Sequence, residues 1–376
     1  NIIILAQYID PNIKELSQLK GIEIIELLTP EVLNVYNGEL SKIDIAKPVK
    51  RVFSLINYNR KVFQLLKTIN PDLIWSLNWR GVITIGPVAR ILKIPLIYQI
   101  GLGIESKGYK TIVNNILLYL SSFVFIESKS QIKKLYNIRQ RDVFFKKFIV
   151  LPFGIDTEKF NLNTSYDLPE QFPMVDRNSF IVGIVCSLTP RKGIEDLLIA
   201  INNVKNMVDK EVYLVIVGGD VDKEKKYYYR LKEKIKELNI QENVFMVGWQ
   251  EDVPHWLAGF DVFVLPSKGE GIPVSVRESM AMGVPVIATN VGGISDIVIN
   301  SYNGILIEPD NINGLVDAIK FLIEDPESLA LYGKNAHKTV VEKFSIRRQV
   351  QKYETAFEII VKYKDKQMIS ERIYDL

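Results

Sequence analysis

The sequence predicts an α/β protein built from two doubly wound parallel-sheet domains. Three observations carry that expectation. Short apolar runs alternate with longer amphipathic ones along the chain, the pattern of strand–helix units with parallel strands. At 376 residues the chain has room for two ordinary domains, each with its own core. A polar, turn-rich break at 153–178, with Pro169 and Pro173, interrupts the periodic pattern. It sets a first domain at 1–157, a second at 158–344 and a helix-prone tail at 345–376.

The elements follow in order. Strands are expected where short apolar runs are bounded by polar turns: 1–6, 22–28, 72–76, 95–100, 123–127 and 148–151 in the first half. The second half repeats the pattern at 180–186, 212–217, 244–247, 261–265, 285–288 and 304–307. Helical runs lie between most of them, as at 194–202, 223–238, 274–282 and 314–324. Two sheets of this kind, facing each other, make a cleft lined by strand C-terminal ends, where doubly wound sheets bind ligands.

Composition narrows the class. Hydrophobic residues at 47% and charged residues at 24% are those of a globular chain. A net charge of +3 is nearly balanced at this length, which argues against a nucleic-acid partner. Cys186 is the single cysteine, so no intramolecular disulfide forms, and a reducing, cytoplasmic compartment fits. His255 and His337 are the only histidines, which leaves no basis for a Cys/His metal site. The longest apolar stretch, 114–126, is broken by Ser121-Ser122 and is about half the length of a membrane helix.

Residues 270–289 carry the densest signal: Glu-Gly-Ile-Pro-Val-Ser-Val-Arg-Glu-Ser-Met-Ala-Met-Gly-Val-Pro-Val-Ile-Ala-Thr. Glu270 and Glu278 bracket a Gly271-Ile272-Pro273 turn that feeds the helical run at 274–282. Pro273 suits a first helical position, where its missing N–H is no loss. The N–H groups of Val274 and Ser275 then point unpaired from a helix N-terminus, a site for a phosphate. A carboxylate facing that phosphate would repel it, so Glu270 and Glu278 are assigned to neutral hydroxyls. Two such carboxylates around a phosphate cradle suit a nucleotide sugar. The alternative is an ordinary helix–strand unit with solvated acids, which a lone Glu pair would favour. The ordered Gly, Pro, Ser-Met-Ala and closing Gly-Val-Pro-Val weigh against it.

Further candidates sit at other strand ends. Ser187 opens the turn that holds Arg191, Lys192 and Gly193, and two cations between strand and helix are placed to meet a diphosphate. An isolated pair of this kind is otherwise a solvated loop. Gly218-Gly219 and Gly248-Trp249 end two more strands, glycine there allowing close backbone approach. Trp249 either stacks on a flat ligand or packs. Asp220-Val221-Asp222 admits a metal–diphosphate reading, but the lysines after it favour a helix N-terminus with its cap.

The 270–289 segment resembles the E-x7-E motif of the family 4 (group 1) retaining glycosyltransferases, which have the GT-B fold of two Rossmann-like domains facing a cleft. Lys192-Gly193 match the end of that family's Gly-Arg-Leu-x-x-x-Lys-Gly pattern. Residues 71–75 and 151–160 resemble its Pro-Asp strand and its Pro-Asn-Gly-Ile-Asp hinge. The resemblance implies transfer of a hexose-type sugar from a UDP- or GDP-linked donor to a hydroxyl of a glycan or lipid-linked acceptor. No cofactor and no metal is implied. Lys192 and Arg191 would stabilise the leaving diphosphate, Glu270 would hold the donor sugar and Glu278 the ribose. Gly271, Ile272, Pro273, Val274, Ser275, Ser187, Gly218, Gly248 and Trp249 would complete the donor site. The tail would cross back onto the first domain. Arg139, Arg141, Lys146 and Lys147 form either a peripheral contact with an anionic membrane surface or a solvated basic face.

Departures from the pattern leave rivals open. Cys186-Ser187 replace the Gly-Arg pair, Phe153 replaces the hinge Asn, and the segment Gln99-Ile100-Gly101-Leu102-Gly103 lacks the family's histidine. The opening reads like the family's second strand followed by 12–19, which implies a piece lacking the first strand, Gly-rich loop and helix. The rivals are a catalytically impaired nucleotide-sugar-binding protein and a sugar-nucleotide epimerase on the same fold.

Overall fold

A computed structural model of the chain describes residues 2–6, 22–26, 48–100, 107–166, 171–172, 175–222 and 224–362. The expected residues 12–19 and 101–103 lie outside them, as does the tail beyond Lys362. Two compact units are present, one of Asn1–Ile100 with Ile112–Val124, the other of Gly101–Thr111 with Phe125–Leu376.

In the first unit, β1 (Ile2–Ala6) pairs in parallel with β2 (Ile22–Glu26). Helix α1 (Pro48–Ile69) leads to β3 (Ile74–Ser76), α2 (Trp79–Ile91), β4 (Leu96–Gln99) and α3 (Lys110–Leu120). Strands β3 and β4 are parallel; β5 (Phe123–Ile126) begins at the end of the first unit, and β6 (Phe148–Val150) belongs to the second. Asn78 starts α2 by accepting the Gly81 N–H at 3.0 Å, an N-cap that Ala would not supply. Between β5 and β6 run α4 (Lys129–Leu135) and α5 (Ile138–Phe144).

The second unit is dominated by a six-stranded parallel sheet, β12–β11–β10–β7–β8–β9. Its strands are β7 (Phe180–Val185), β8 (Val212–Val217), β9 (Val244–Gly248), β10 (Val262–Leu265), β11 (Val286–Thr289) and β12 (Gly304–Ile307). Strands β8, β10 and β11 are buried at every position, as a parallel sheet covered on both faces requires. The helices between and after them are α6 (Ile194–Val204), α7 (Lys226–Glu237), α8 (Val253–Ala258), α9 (Val274–Ala281), α10 (Ile312–Glu324), α11 (Pro326–Lys343) and α12 (Ile346–Lys362). The strand order reverses between β7 and β10, and that switch point is where doubly wound sheets open a crevice.

Helix starts differ from the sequence reading where side chains decide them. Helix α10 begins two residues early because Asn311 caps it, accepting the Gly314 N–H at 2.9 Å. Helix α7 begins late, at Lys226, after Lys225 in the left-handed region at φ 53°. Asp220 is thus not the residue that starts the helix. Its carboxylate still reaches back to cap it, accepting the Tyr228 N–H at 2.8 Å and the Asp222 N–H at 2.8 Å. Pro273 is the N-cap of α9 rather than its first residue, because its ψ of 130° is extended. Helix α12 is tied to the 153–155 turn: Ile346 N–H donates to Ile155 O at 2.9 Å, and Gly154 N–H to Gln349 Oε1 at 2.9 Å. Tyr353 packs edge-on against Phe125 with ring centroids 5.6 Å apart.

Candidate active site

The turn after β7 builds the cationic wall. Residues Pro190–Lys192 form a single 3-10 turn, closed by Gly193 at φ 69°. A Cβ on Gly193 would stand 2.0 Å from the Pro266 carbonyl oxygen, so only glycine lets this turn lie against the loop after β10. That contact brings Lys192 and Arg191 to Glu270. Glu270 Oε1 accepts from Lys192 Nζ at 2.6 Å and from Ser267 Oγ at 2.7 Å, and Oε2 lies 3.1 Å from Arg191 Nη1. Arg191 also donates to the Gly269 carbonyl. The Lys192 and Glu270 side chains are 11% and 7% exposed, whereas Arg191 is 52% exposed. Burial opposes ionisation of Glu270, yet hydrogen bonds from Lys192 and Ser267 and the charges of Lys192 and Arg191 outweigh it. The carboxyl is held below its usual range.

The loop after β11 backs this arrangement. Gly293 N–H donates to Gly271 O at 2.7 Å, and a Cβ on Gly292, at φ 60°, would stand 2.0 Å from Glu270 O. Helix α9 starts beside it with no side-chain cap, leaving its first N–H groups to face outward from Val274 and Ser275. One turn on, Glu278 is partly buried, and desolvation raises its pKa against the lowering charges of Lys159 and Arg277. Cys186 closes the wall as an inert thiol, pushed up to about 12 chiefly by burial.

These groups surround a cavity of about 880 Å³, and every residue lining it belongs to the second unit. Of the sequence-predicted residues, Arg191, Lys192, Glu270, Gly271, Ile272, Pro273, Val274, Ser275 and Glu278 line it. Ser187, Gly218, Gly248 and Trp249 do not. Gly218 and Gly248 instead meet at adjoining strand ends, Gly218 N–H donating to Gly248 O at 2.7 Å. Trp249 beside them is 73% exposed, so the packing alternative for it is set aside. Both cations of the pair meet Glu270. Among the described residues no group of three or more His, Cys, Asp or Glu side chains is placed to hold a metal ion.

A family model described as glycosyl transferases group 1 matches residues 170–339, the segment that supplies most of this wall. The UDP-Gal:alpha-D-GlcNAc-diphosphoundecaprenol alpha-1,3-galactosyltransferase of Escherichia coli is 28% identical over 82% of the chain and 79% of its own length. The capsular polysaccharide biosynthesis glycosyltransferase CapM of Staphylococcus aureus is 27% identical over 88% of each chain. The 170–339 segment of this chain is that of a group 1 glycosyltransferase. The fold of the chain is GT-B: Anabaena Alr3699/HepE, solved in complex with UDP, superposes with a TM-score of 0.73 at 20% identity, over 95% of this chain and 91% of that one. A Rickettsia africae glycosyltransferase gives 0.74 at 20% identity, over 96% and 90%.

The glycosyltransferase transfers sugar from a nucleotide sugar, and its cavity holds residues that sequence reasoning missed. Glu127, Gln131 and Leu135 line it from the end of β5 and from α4. Arg277 stands just behind, 1% exposed on α9, donating to the Phe153 carbonyl. Burial lowers its pKa, and Glu127 and Glu278 oppose the shift. Local signals for both were slight: Glu127 directly follows the apolar run of β5, and Arg277 falls between Val276 and Met280–Ala281 on the buried side of α9.

Proposed function

We propose that the glycosyltransferase moves a hexose from a UDP-sugar, with retained anomeric configuration, to a hydroxyl of a lipid-linked glycan. The observation that carries this is the cavity itself, where a buried Lys192–Glu270 pair, a half-exposed Arg191 and an uncapped helix N-terminus converge. The leaving diphosphate gathers negative charge as the glycosidic bond breaks. Arg191 can turn onto it while Lys192 stays paired, and the Val274 and Ser275 N–H groups meet it from α9. Glu270, with both oxygens engaged, is suited to holding donor hydroxyls and ill suited to forming a covalent bond. Glu278 takes the ribose hydroxyls. The exposed Trp249 and the Gly218–Gly248 contact, at the next strand ends, suit the flat base.

The Escherichia coli relative, whose name records a UDP-linked donor and a diphospholipid-linked acceptor, supports the choice of both substrates. No helix among the described residues is long and apolar enough to cross a membrane, so a lipid-linked acceptor would be met at a surface. The test is a transfer assay with UDP-glucose, UDP-galactose and GDP-mannose against an N-acetylglucosaminyl diphosphate carried on a short alkyl chain. An α-linked disaccharide product from a UDP-sugar is expected. Turnover with GDP-mannose alone, a β-linked product, or interconversion of the free UDP-sugars would overturn the reading.

A further inference from the structure

Three residues that line the cavity come from outside the matched segment 170–339: Glu127, Gln131 and Leu135. Among them Glu127 is the charged one. The matched segment supplies every group assigned above to the nucleotide sugar, so the residues outside it face what is left to bind, the acceptor.

The Glu127 turn is built to hold still. Glu127 N–H donates to Gln131 Oε1 at 3.2 Å, and Ser128 caps α4 by accepting the Gln131 N–H at 3.1 Å. Ser128 Oγ is 2.9 Å from Ser130 Oγ, which donates to Asp296 Oδ2 at 3.3 Å. A Cβ on Gly293 would stand 3.0 Å from Ser128 Oγ, so this turn lies against the same Gly292-Gly293 loop that backs Glu270. Among the described residues no side chain hydrogen-bonds the Glu127 carboxyl, although the residue is only partly exposed. Burial raises the Glu127 pKa and the charge of Arg277 opposes that shift; Arg277 is itself held by the Phe153 carbonyl, and its buried Nε has no hydrogen-bond partner among the described residues.

We propose that Glu127 is an acceptor-binding carboxylate, accepting hydrogen bonds from the acceptor sugar's hydroxyls beside the one that attacks. An anionic group on this wall repels phosphate and favours neutral donors, and its charge-assisted bonds to hydroxyls are the strong kind. The inference rests on the reading of the cavity as a UDP-sugar transferase site, and the test separates the two.

Glu127→Ala and Glu127→Gln are compared with the parent in three measurements: UDP affinity by calorimetry, hydrolysis of UDP-hexose to water, and transfer to the alkyl-diphosphate N-acetylglucosamine. Expected are UDP affinity and hydrolysis within twofold of the parent, with acceptor KM raised tenfold or more in Glu127→Ala. Glu127→Gln, which keeps one acceptor oxygen, falls between. Acceptor KM within twofold of the parent in both variants overturns the assignment. So does a loss of UDP affinity or hydrolysis that matches the loss of transfer, which would put Glu127 on the donor side. A parent that hydrolyses UDP-hexose but never uses this acceptor counts against the proposed acceptor, and the hydrolysis arm still judges Glu127.

Discussion

Glu270 and Glu278 lie on the wall of one cavity under opposite electrical conditions, and their substitutions separate accordingly. The folded-state pKa of Glu270 is depressed. Its contribution to stability is therefore present above the unfolded value of about 4.3 and is lost as pH falls through the folded value. Glu278 is raised, so its ionisation opposes folding, and stability declines as pH rises from the unfolded value through the folded one. At pH 7, Glu270→Gln should lower the melting temperature, because Lys192 is left buried without its counter-charge. The difference from the parent should persist down to about pH 4.3 and shrink only as pH falls below it. Glu278→Gln should melt at or above the parent while UDP affinity falls about tenfold to a hundredfold, a lost charge-assisted hydrogen bond being worth roughly 1.5–3 kcal/mol. Thermal scans across pH with calorimetry on the same samples check both. A Glu278→Gln protein that melts lower and binds UDP normally would make Glu278 structural.

At the scale of the element, helix α9 starts without a side-chain cap, which leaves its first N–H groups open to the diphosphate that the proposed reading places there. A Ser at the N-cap would accept one of the first N–H groups and add about 1 kcal/mol, and proline offers no such oxygen. Pro273→Ser should therefore leave stability nearly unchanged, since the cap gained offsets the roughly 0.4–1 kcal/mol lost by freeing the unfolded chain. UDP affinity should drop tenfold or so, as the hydroxyl competes with the diphosphate for the N–H groups. Equal affinity would remove the helix terminus from the anion site. The sequence showed this helix through its Gly-Ile-Pro entry, but not which residue caps it, because the cap depends on the ψ angle that proline's ring leaves free. The same limit explains α7. Asp220 reads as a cap and caps from a distance, over a left-handed Lys225 that no composition rule announces.

At the scale of the molecule, the strands were legible because parallel sheets covered on both faces demand unbroken apolar runs, as at Val212–Val217 and Val262–Leu265. The cavity wall was legible because its parts are local in sequence, the 187–193 turn and the 270–278 loop–helix. Glu127 and Arg277 were not, since each draws its meaning from a residue far along the chain. The strand order also bears on metal use. Cations and a helix N-terminus already sit at the β7–β10 switch point, whereas the Asp220 carboxylate, after β8, is engaged by the Asp222 and Tyr228 N–H groups. Transfer should thus survive EDTA, and the double change Asp220→Asn, Asp222→Asn should cost less than about 1 kcal/mol of stability, because Asn caps about as well as Asp, and should not abolish turnover. The decisive comparison is initial rate with EDTA, then with added manganese, in parent and double variant. If EDTA stops the parent, manganese restores it and the double variant stays inactive, Asp220 and Asp222 hold a catalytic metal and the cation pair is not the group that carries the leaving diphosphate.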